Sequence, residues 1–427
     1  MRRNLGRRLA ALLAVAGLLS LAACGDDGQQ TQQANSKQVE IFSWWTGGGE
    51  GAGLAEMIKK FEADNSGLKI KNSAVAGGSG TNAQDVLAGR LRANKPPDSF
   101  QGHAGAELFD YIKSGKLEPL DDFYKTQKLN EVFPKQLVDQ ITYEGHVYSV
   151  PVNIHRSNVL WYSPAVLKEA GIAAPPTTIE QFIADLKTIK AKTDKIPISL
   201  GAQWTADHLL ESVLLGSLGT DGYNKLWQKG ADWSSPEVTK ALQNYAEIVS
   251  FAQTEAASTD WQVAAKNVVD GKAAFNIMGD WAYGYFTGDL KKTPKTDFDW
   301  AASPGTDGTY MWLSDSFTLP VGAPNRAGTL KWLEVASSKE GQDLFNPKKG
   351  SIPARKDADT SLYKDYLAWA LEEWKKDQLA GSYWHGVTAN NRWHTDIDSQ
   401  LGLFLQSKDV AKFQEGLVTA AQNSGQI

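Results

Sequence analysis

The sequence predicts an α/β protein whose sheets are largely parallel and doubly wound. Three observations carry that prediction. Strand-like and helix-like segments alternate as β-α-β-α-β from Val39 to Ala104, the order that lays helices on the faces of a parallel sheet. Ala273–Met278 is short, mostly apolar and stopped by Gly279; it has too few residues for a helix and reads as a buried strand. About 390 residues follow the polar N-terminal stretch, and the chain has one cysteine. No disulfide can form within the chain, so stability must come from a core of two or three domains' worth of packing.

The first residues read as an address label. Arg2, Arg3, Arg7 and Arg8 precede an apolar run, Leu9–Ala23. That run is short of the roughly 20 residues a membrane span needs, so residues 1–23 are expected to be a cleaved secretory signal. Leu21-Ala22-Ala23-Cys24 ends it with the only cysteine. Small residues ahead of that lone cysteine look like a bacterial lipoprotein box, with lipid attached at Cys24; a free thiol would be a liability in an exported protein. Residues 24–38 are polar and read as a flexible tether behind that anchor. The formal net charge of −5 becomes −9 once the four signal arginines are removed. An acidic body without basic clusters argues against nucleic acid and against a polybasic membrane surface.

Along the folded body, Val39–Trp44 alternates apolar and polar residues as a first strand. Trp45–Gly53 reads as a glycine-rich loop and Leu54–Asn65 as a helix with Leu54, Met57, Ile58 and Phe61 on one face. Gly47, Gly49 and Ala52 imitate a dinucleotide fingerprint, but a loop bringing Trp45 and Glu50 to a ligand suits an exported protein better, and no cofactor is expected. Leu68–Ala76 is a second strand. A helix through Ala83, Leu87 and Leu91 comes next, and Ser99–Ala104 is a third strand. Its end carries Gln101 and His103, on the side where open α/β sheets collect ligands.

Val147–Tyr162 is extended and interrupted by Pro151, which disfavours a sheet interior and suits a crossing between two lobes. Asn153 and His155 there either face a cleft or stitch the hinge backbone. Ser163–Gly171 is a helix, and Thr178 with Gln181 has capping-box spacing for the next. Pro197–Leu200 is a strand with Gln203 and Trp204 at its end, and Ser235-Pro236 caps a helix through Val249. Asp260-Trp261-Gln262 leads to Ala273–Met278. Asp280 is placed to cap any helix that begins after Gly279, and Asn276, Asp280 and Trp281 sit where a small molecule would be held. Tyr310–Pro320 presents Asp315 between short apolar runs. Leu330–Ser337 and Glu340–Phe345 are helical, Asn346–Pro353 is a structured loop, and Ser382–His385 sits in a C-terminal helical region.

Six segments carry a resemblance: Glu40–Trp45, Ser99–Gly105, Val150–Asn158, Gly271–Trp281, Leu313–Phe317 and Phe345–Ser351. Spread over nearly the whole mature chain, they resemble the extracellular sugar-binding lipoproteins of ABC importers, solute-binding protein family 1, and are most similar to its glucose-binding branch. One departure is Ile179, where the family usually has tryptophan after the threonine. The resemblance implies a two-lobed, periplasmic-binding-protein-like (type II) fold, each lobe a mostly parallel sheet flanked by helices, with multiple hinge crossings. Lobe 1 would be residues 39–152 and 310–352, and lobe 2 residues 153–309 and 353–427. It implies a cleft formed by Trp45, Glu50, Gln101, His103, Trp261, Asn276, Trp281, Asp315, Lys349 and His385, with Trp45 as a stacking face. Glu50, Gln101, His103, Asp315, Lys349 and His385 would be hydrogen-bonding partners for sugar hydroxyls. No catalytic or metal-binding residue is implied.

The expected function is therefore capture of a monosaccharide, glucose or a close relative, outside the cytoplasm, and delivery to ABC permease subunits. The protein is expected to be a monomer, held to the outer face of the cell membrane by its lipid alone. A pyranose has two apolar faces and a rim of hydroxyls, and the chain has fifteen tryptophans. A micromolar site needs about −8 kcal/mol; three or four hydrogen bonds to charged groups, at about 1.5–3 kcal/mol each, with one stacked face reach that. The alternatives are a short-oligosaccharide receptor, a surface lectin with an open groove, and a lipid-anchored glycoside hydrolase pairing Glu50, Asp280 or Asp315 as acid and base.

Overall fold

The computed structural model describes residues 37–254 and 256–425. The expected signal, Cys24 and all but the end of the tether lie outside them. Among the described residues no helix is long and apolar enough to cross a membrane.

Two sheets organise the chain. The first has five strands in the spatial order Lys69–Asn72, Gln38–Phe42, Ser99–His103, Asp315–Thr318 and Ser149–Pro151. Its first three strands are parallel, as the β-α-β-α-β alternation predicts. Asp315–Thr318 runs antiparallel to both of its neighbours, so Ser149–Pro151 points the same way as the first three strands and one strand alone is reversed. The chain enters Asp315–Thr318 directly from the strand before it and not through a helical crossover. The second sheet has four strands, Asp299–Ala302, Val159–Tyr162, Ala273–Ile277 and Ile196–Ile198. Only its pair Ala273–Ile277 with Ile196–Ile198 is parallel. Both sheets are thus mixed. The strand Ala273–Ile277 is buried throughout, as its apolar run requires.

Between them lies a small sheet in which Thr309–Leu313 pairs with His155–Arg156 and Gln378–Gly381. Ser314 separates Thr309–Leu313 from Asp315–Thr318, which belongs to the five-stranded sheet. Nearby, Ile154 and Ile352 exchange backbone hydrogen bonds of 2.8 and 3.0 Å, and Val152 N–H donates to Asp315 O at 2.9 Å. The segments that pass between the two large sheets therefore lie side by side.

Four local expectations change. The glycine loop after Trp45 is mostly helix: Gly48–Asp64 is one helix, six residues longer at its start than the apolar pattern marks. Gly49 serves close approach there, since a Cβ would stand 2.2 Å from Lys348 O on the neighbouring helix Lys339–Lys349. That second helix runs through Pro347 to Lys349 before stopping at Gly350, φ +93°. Proline two residues from a helix end forfeits one hydrogen bond and little else. Ser382–His385 lies in a loop between Gln378–Gly381 and the helix Asn391–Ser407, not in a helix. The helix Gln203–Lys225 comes directly after the Pro197–Leu200 segment and is mostly buried in its first half, so it shows no polar stripe to mark it.

Candidate ligand-binding cleft

The register of the first sheet sets Asp315 opposite His103 and Phe317 opposite Gln101. Side chains two apart on a strand share a face, so Gln101, His103 and Asp315 project together. Around the Asp315 carboxylate, Gln101 Nε2 donates at 2.9 Å, Asn153 Nδ2 at 2.8 Å and His155 Nε2 at 3.1 Å. His155 Nδ1 bonds to the Asp280 carboxylate, which also accepts the Arg156 N–H at 2.9 Å. Asp280 therefore does not cap the turn after it; charge pairing with the crossing segment outcompetes a local cap. His155, left open at the sequence level, both stitches the crossing and lines the cleft.

These groups decide one another's charge. Burial disfavours ionised Asp315, yet the hydrogen bond from His155 and the positive charges of His155, Lys349 and His103 outweigh it and hold the carboxyl well below the usual range. Burial likewise works against charged His155, but Asp280 and Asp315, one on each ring nitrogen, raise its pKa. His103 is raised the same way by Glu107, whose carboxylate meets Nδ1 at 2.6 Å, leaving Nε2 for the cleft. Lys349, nearly buried, pairs with Glu50 at 2.5 Å.

The opposite wall is neutral. His208 Nε2 donates to Ser157 O at 2.9 Å, so Nδ1 carries the lone pair; it has no hydrogen-bond partner among the described residues, with Glu211 Oε1 3.7 Å away. Ser382 Oγ donates to Glu211 Oε2 at 2.7 Å, so it must accept from His385 Nδ1 at 2.8 Å. His385 Nε2 is then an acceptor, also without a partner among the described residues. Burial lowers His208 to about 4 and puts His385 well below its ordinary value. Burial also raises Glu211 to about 7, against hydrogen bonds from Ser157, Ser382 and the Trp384 backbone. Donor atoms of His208, Glu211 and His385 lie within 4.8 Å of one another, a spacing that could hold a small cation. Trp281 joins the walls: its ring centroid is 5.4 Å from His155, 5.7 Å from His208 and 5.2 Å from His385. Only glycine fits at 279, because a Cβ there would stand 2.2 Å from that indole.

A cleft of about 220 Å³ opens between these walls. Of the ten residues expected there, Glu50, His103, Trp261, Trp281, Asp315, Lys349 and His385 line it. Three do not. Trp45, expected as the stacking face, is 1% exposed and packs on Phe345 and Phe317 with centroids 4.8 and 5.8 Å away. It joins the core with Val39 and Ile41, while Trp44 takes the lining position, its ring 5.0 Å from His103. Gln101 stands behind Asp315 and accepts the Trp44 N–H at 3.2 Å. Asn276 is fully buried in its strand and donates to Ser199 O at 2.8 Å; its amide organises the second sheet. The sequence reading missed Trp44 and Trp204 of the lining, and also Trp204's helix neighbour His208, which packs behind the lining against Trp281 and His385. The i, i+4 spacing of Trp204 and His208 would have found the last two once Gln203–Lys225 was read as helix.

Residues 45–343 match the family model of the bacterial extracellular solute-binding proteins. A probable sugar-binding periplasmic protein of Brucella suis is 32% identical over 95% of this chain and 98% of its own. The xylose/arabinose-binding protein XacG of Haloferax volcanii is 30% identical over 81% of this chain and 76% of its own. Among solved structures, the bacterial solute receptor AcbH superposes with a TM-score of 0.79 at 18% identity, covering 91% of this chain and 98% of that one. That likeness gives the fold, two α/β lobes of the type II periplasmic-binding-protein class. With the family model spanning well over half its length, the chain belongs to the bacterial extracellular solute-binding protein family.

Proposed function

We propose that the protein captures one pyranose, glucose or a close relative, outside the cytoplasm and passes it to the permease of an ABC transporter. The observation that carries this reading is the composition of the cleft. Trp281 and Trp44 supply apolar faces, and Asp315, His103 and the Lys349–Glu50 pair supply charged partners for hydroxyls. His385 Nε2 adds a lone pair with no protein partner among the described residues. At about 220 Å³ the cleft is smaller than the roughly 300–1,000 Å³ of drug-sized pockets, a size for one ring. Relatives named as sugar-binding and xylose/arabinose-binding proteins support the ligand class.

Sugar arrives as the lobes, residues 39–152 with 310–352 and residues 153–309 with 353–427, close about their crossings by a hinge motion. Lipid at Cys24 keeps the monomeric receptor near its permease. Calorimetric titration of the mature protein against glucose, galactose, mannose and xylose tests the reading. At least one should bind in the micromolar range, with no turnover of an aryl glycoside. Chromophore release that disappears in Asp315→Asn would replace a receptor with a hydrolase.

A further inference from the structure

Behind the neutral wall of the cleft lies a side-chain cluster of which the cleft uses only one edge. His208 and Glu211 stand three residues apart on the helix Gln203–Lys225, so they share a face. His385 reaches them from the loop that follows Gln378–Gly381. His208 and Glu211 are 0% exposed and His385 is 1% exposed. One donor atom from each lies within 4.8 Å of the other two. Glu211 Oε1 is the hub, 3.7 Å from His208 Nδ1 and 3.8 Å from His385 Nδ1. Neighbouring ligands on a tetrahedral zinc ion are about 3.4 Å apart, so small side-chain shifts bring all three onto one ion.

The surroundings are those of a ligand set. The Nε2 proton of His208 goes to Ser157 O, which leaves the Nδ1 lone pair beside Glu211 with no hydrogen-bond partner among the described residues. A backbone carbonyl on the far ring nitrogen is the kind of partner that orients a metal-ligating histidine. Two buried acceptors, that lone pair and the carboxylate oxygen, are costly side by side unless a positive centre is shared between them. No lysine or arginine forms an ion pair with Glu211 among the described residues. Ser157 Oγ donates to Glu211 Oε1 at 2.5 Å and Ser382 Oγ to Oε2 at 2.7 Å, so the carboxylate is held in place. Ser382 Oγ also lies 2.8 Å from His385 Nδ1 and 3.0 Å from Glu211 Oε1, close enough to complete a set of two nitrogens and two oxygens.

We propose that His208, Glu211 and His385 bind one divalent transition-metal ion of the zinc class, with Ser382 Oγ as a fourth contact. Two imidazoles suit zinc, cobalt or nickel and disfavour calcium and magnesium, which take oxygen ligands. The ion reaches the site from the cleft, which His385 lines. Once bound, it ties the helix Gln203–Lys225 to the loop that carries His385 and so fixes the neutral wall. On Nδ1 of His385 it moves the ring proton to Nε2. The cleft edge of that ring then donates a hydrogen bond where the ion-free protein accepts one. Metal binding requires no sugar, so the site stands or falls apart from the sugar reading of the cleft.

The test is calorimetric titration of Zn²⁺ into the whole mature protein, stripped with a chelator and free of any histidine tag. Cys24→Ser removes the chain's only thiol from the measurement. One equivalent of Zn²⁺ should bind, and Tm should rise with its concentration. Co²⁺ in its place should show the visible absorption bands of a four-coordinate site, while Ca²⁺ and Mg²⁺ should not bind. His208→Gln and His385→Gln should each weaken Zn²⁺ binding about 100-fold or more, and Ser382→Ala by about 10- to 100-fold. Ser382→Ala removes a single hydroxyl, so it decides the matter if the histidine variants fail to fold. His146 lies on the surface, 56% exposed, and His146→Gln should leave Zn²⁺ affinity within twofold. Absence of Zn²⁺ binding, equal binding of Ca²⁺, affinity untouched by the three site variants, or a loss that follows His146→Gln overturns the site.

Discussion

Two pairs of buried histidines meet at the cleft, and only one pair is driven toward charge. Three of the four line the cleft, and His208 is packed behind His385 and Trp281. His103 and His155 each meet carboxylates, Glu107 in one case and Asp280 with Asp315 in the other, and both are raised toward the imidazolium. His208 and His385 hydrogen-bond a carbonyl and a hydroxyl. The Glu211 carboxyl, itself pushed up to about 7, stays 3.7 and 3.8 Å from their Nδ1 atoms, beyond hydrogen-bond reach, and burial keeps both rings neutral. All four are buried, so burial does not explain the difference; the partner on the ring nitrogens does. One wall of the cleft consequently offers charge, and the other offers lone pairs and aromatic faces. A ring rimmed with hydroxyls, each both donor and acceptor, can address both walls at once.

The adjacent Trp44 and Trp45 make a second such contrast, and it yields the largest expected effect. Trp45→Ala empties a core position, and truncations of that size cost about 3–5 kcal/mol. Urea unfolding should show the loss. A variant as stable as its parent would return Trp45 to the cleft. Next comes the charged wall. Asp315→Asn removes the carboxylate on which Gln101, Asn153 and His155 converge. Hydrogen bonds to a charged group are worth about 1.5–3 kcal/mol, so sugar affinity should fall roughly 10- to 150-fold by calorimetry. Undiminished affinity would mean that Asp315 only holds the hinge.

The aromatic faces come third. Trp44→Ala and Trp281→Ala should each weaken sugar binding about tenfold, or about 1.4 kcal/mol. For Trp44→Ala the unfolding curve should hardly move, the reverse of Trp45→Ala. If both indole truncations spare binding, the sugar does not stack on that side.

The smallest effect concerns pH and the neutral wall. Glu211 loses its proton near pH 4.5 when unfolded and at about 7 in the fold. Between those values the native state binds more protons than the unfolded chain, so this group's contribution to stability falls as pH rises. His208, lowered to about 4 from 6.5, contributes in the opposite sense over much of the same window. The parent's profile therefore mixes the two. Glu211→Gln has no proton to lose at this position, so its Tm relative to the parent should climb from pH 4.5 to pH 7 and then level. A flat difference would show that Glu211 is ionised throughout.

Much of this was legible in the sequence because it stems from short-range pattern. The apolar run Ala273–Ile277 and the β-α alternation before His103 depend on burial periodicity, which local sequence carries. His103, at the carboxyl end of its strand, was reached from the rule that open sheets bind there, and Asp315 from its place between short apolar runs. Trp45 was misplaced because two neighbouring tryptophans look alike until the strand's facing is known. Val39, Ile41 and Trp45 enter the core together, and Trp44 then borders the cleft. The helix Gln203–Lys225 went unread because a helix buried over most of its first half lacks a polar face.

The sequence by itself determined the family, the mixed α/β layering and seven of the lining residues, since each rests on local order or segment identity. Tertiary structure alone decided which indole faces the cleft and which histidines are charged. Those outcomes depend on atoms brought together across long stretches of chain: Asp280 with His155, Asp315 with Gln101, Ser382 with Glu211. Electrostatic interaction falls off with distance in space, and separation along the chain does not enter it.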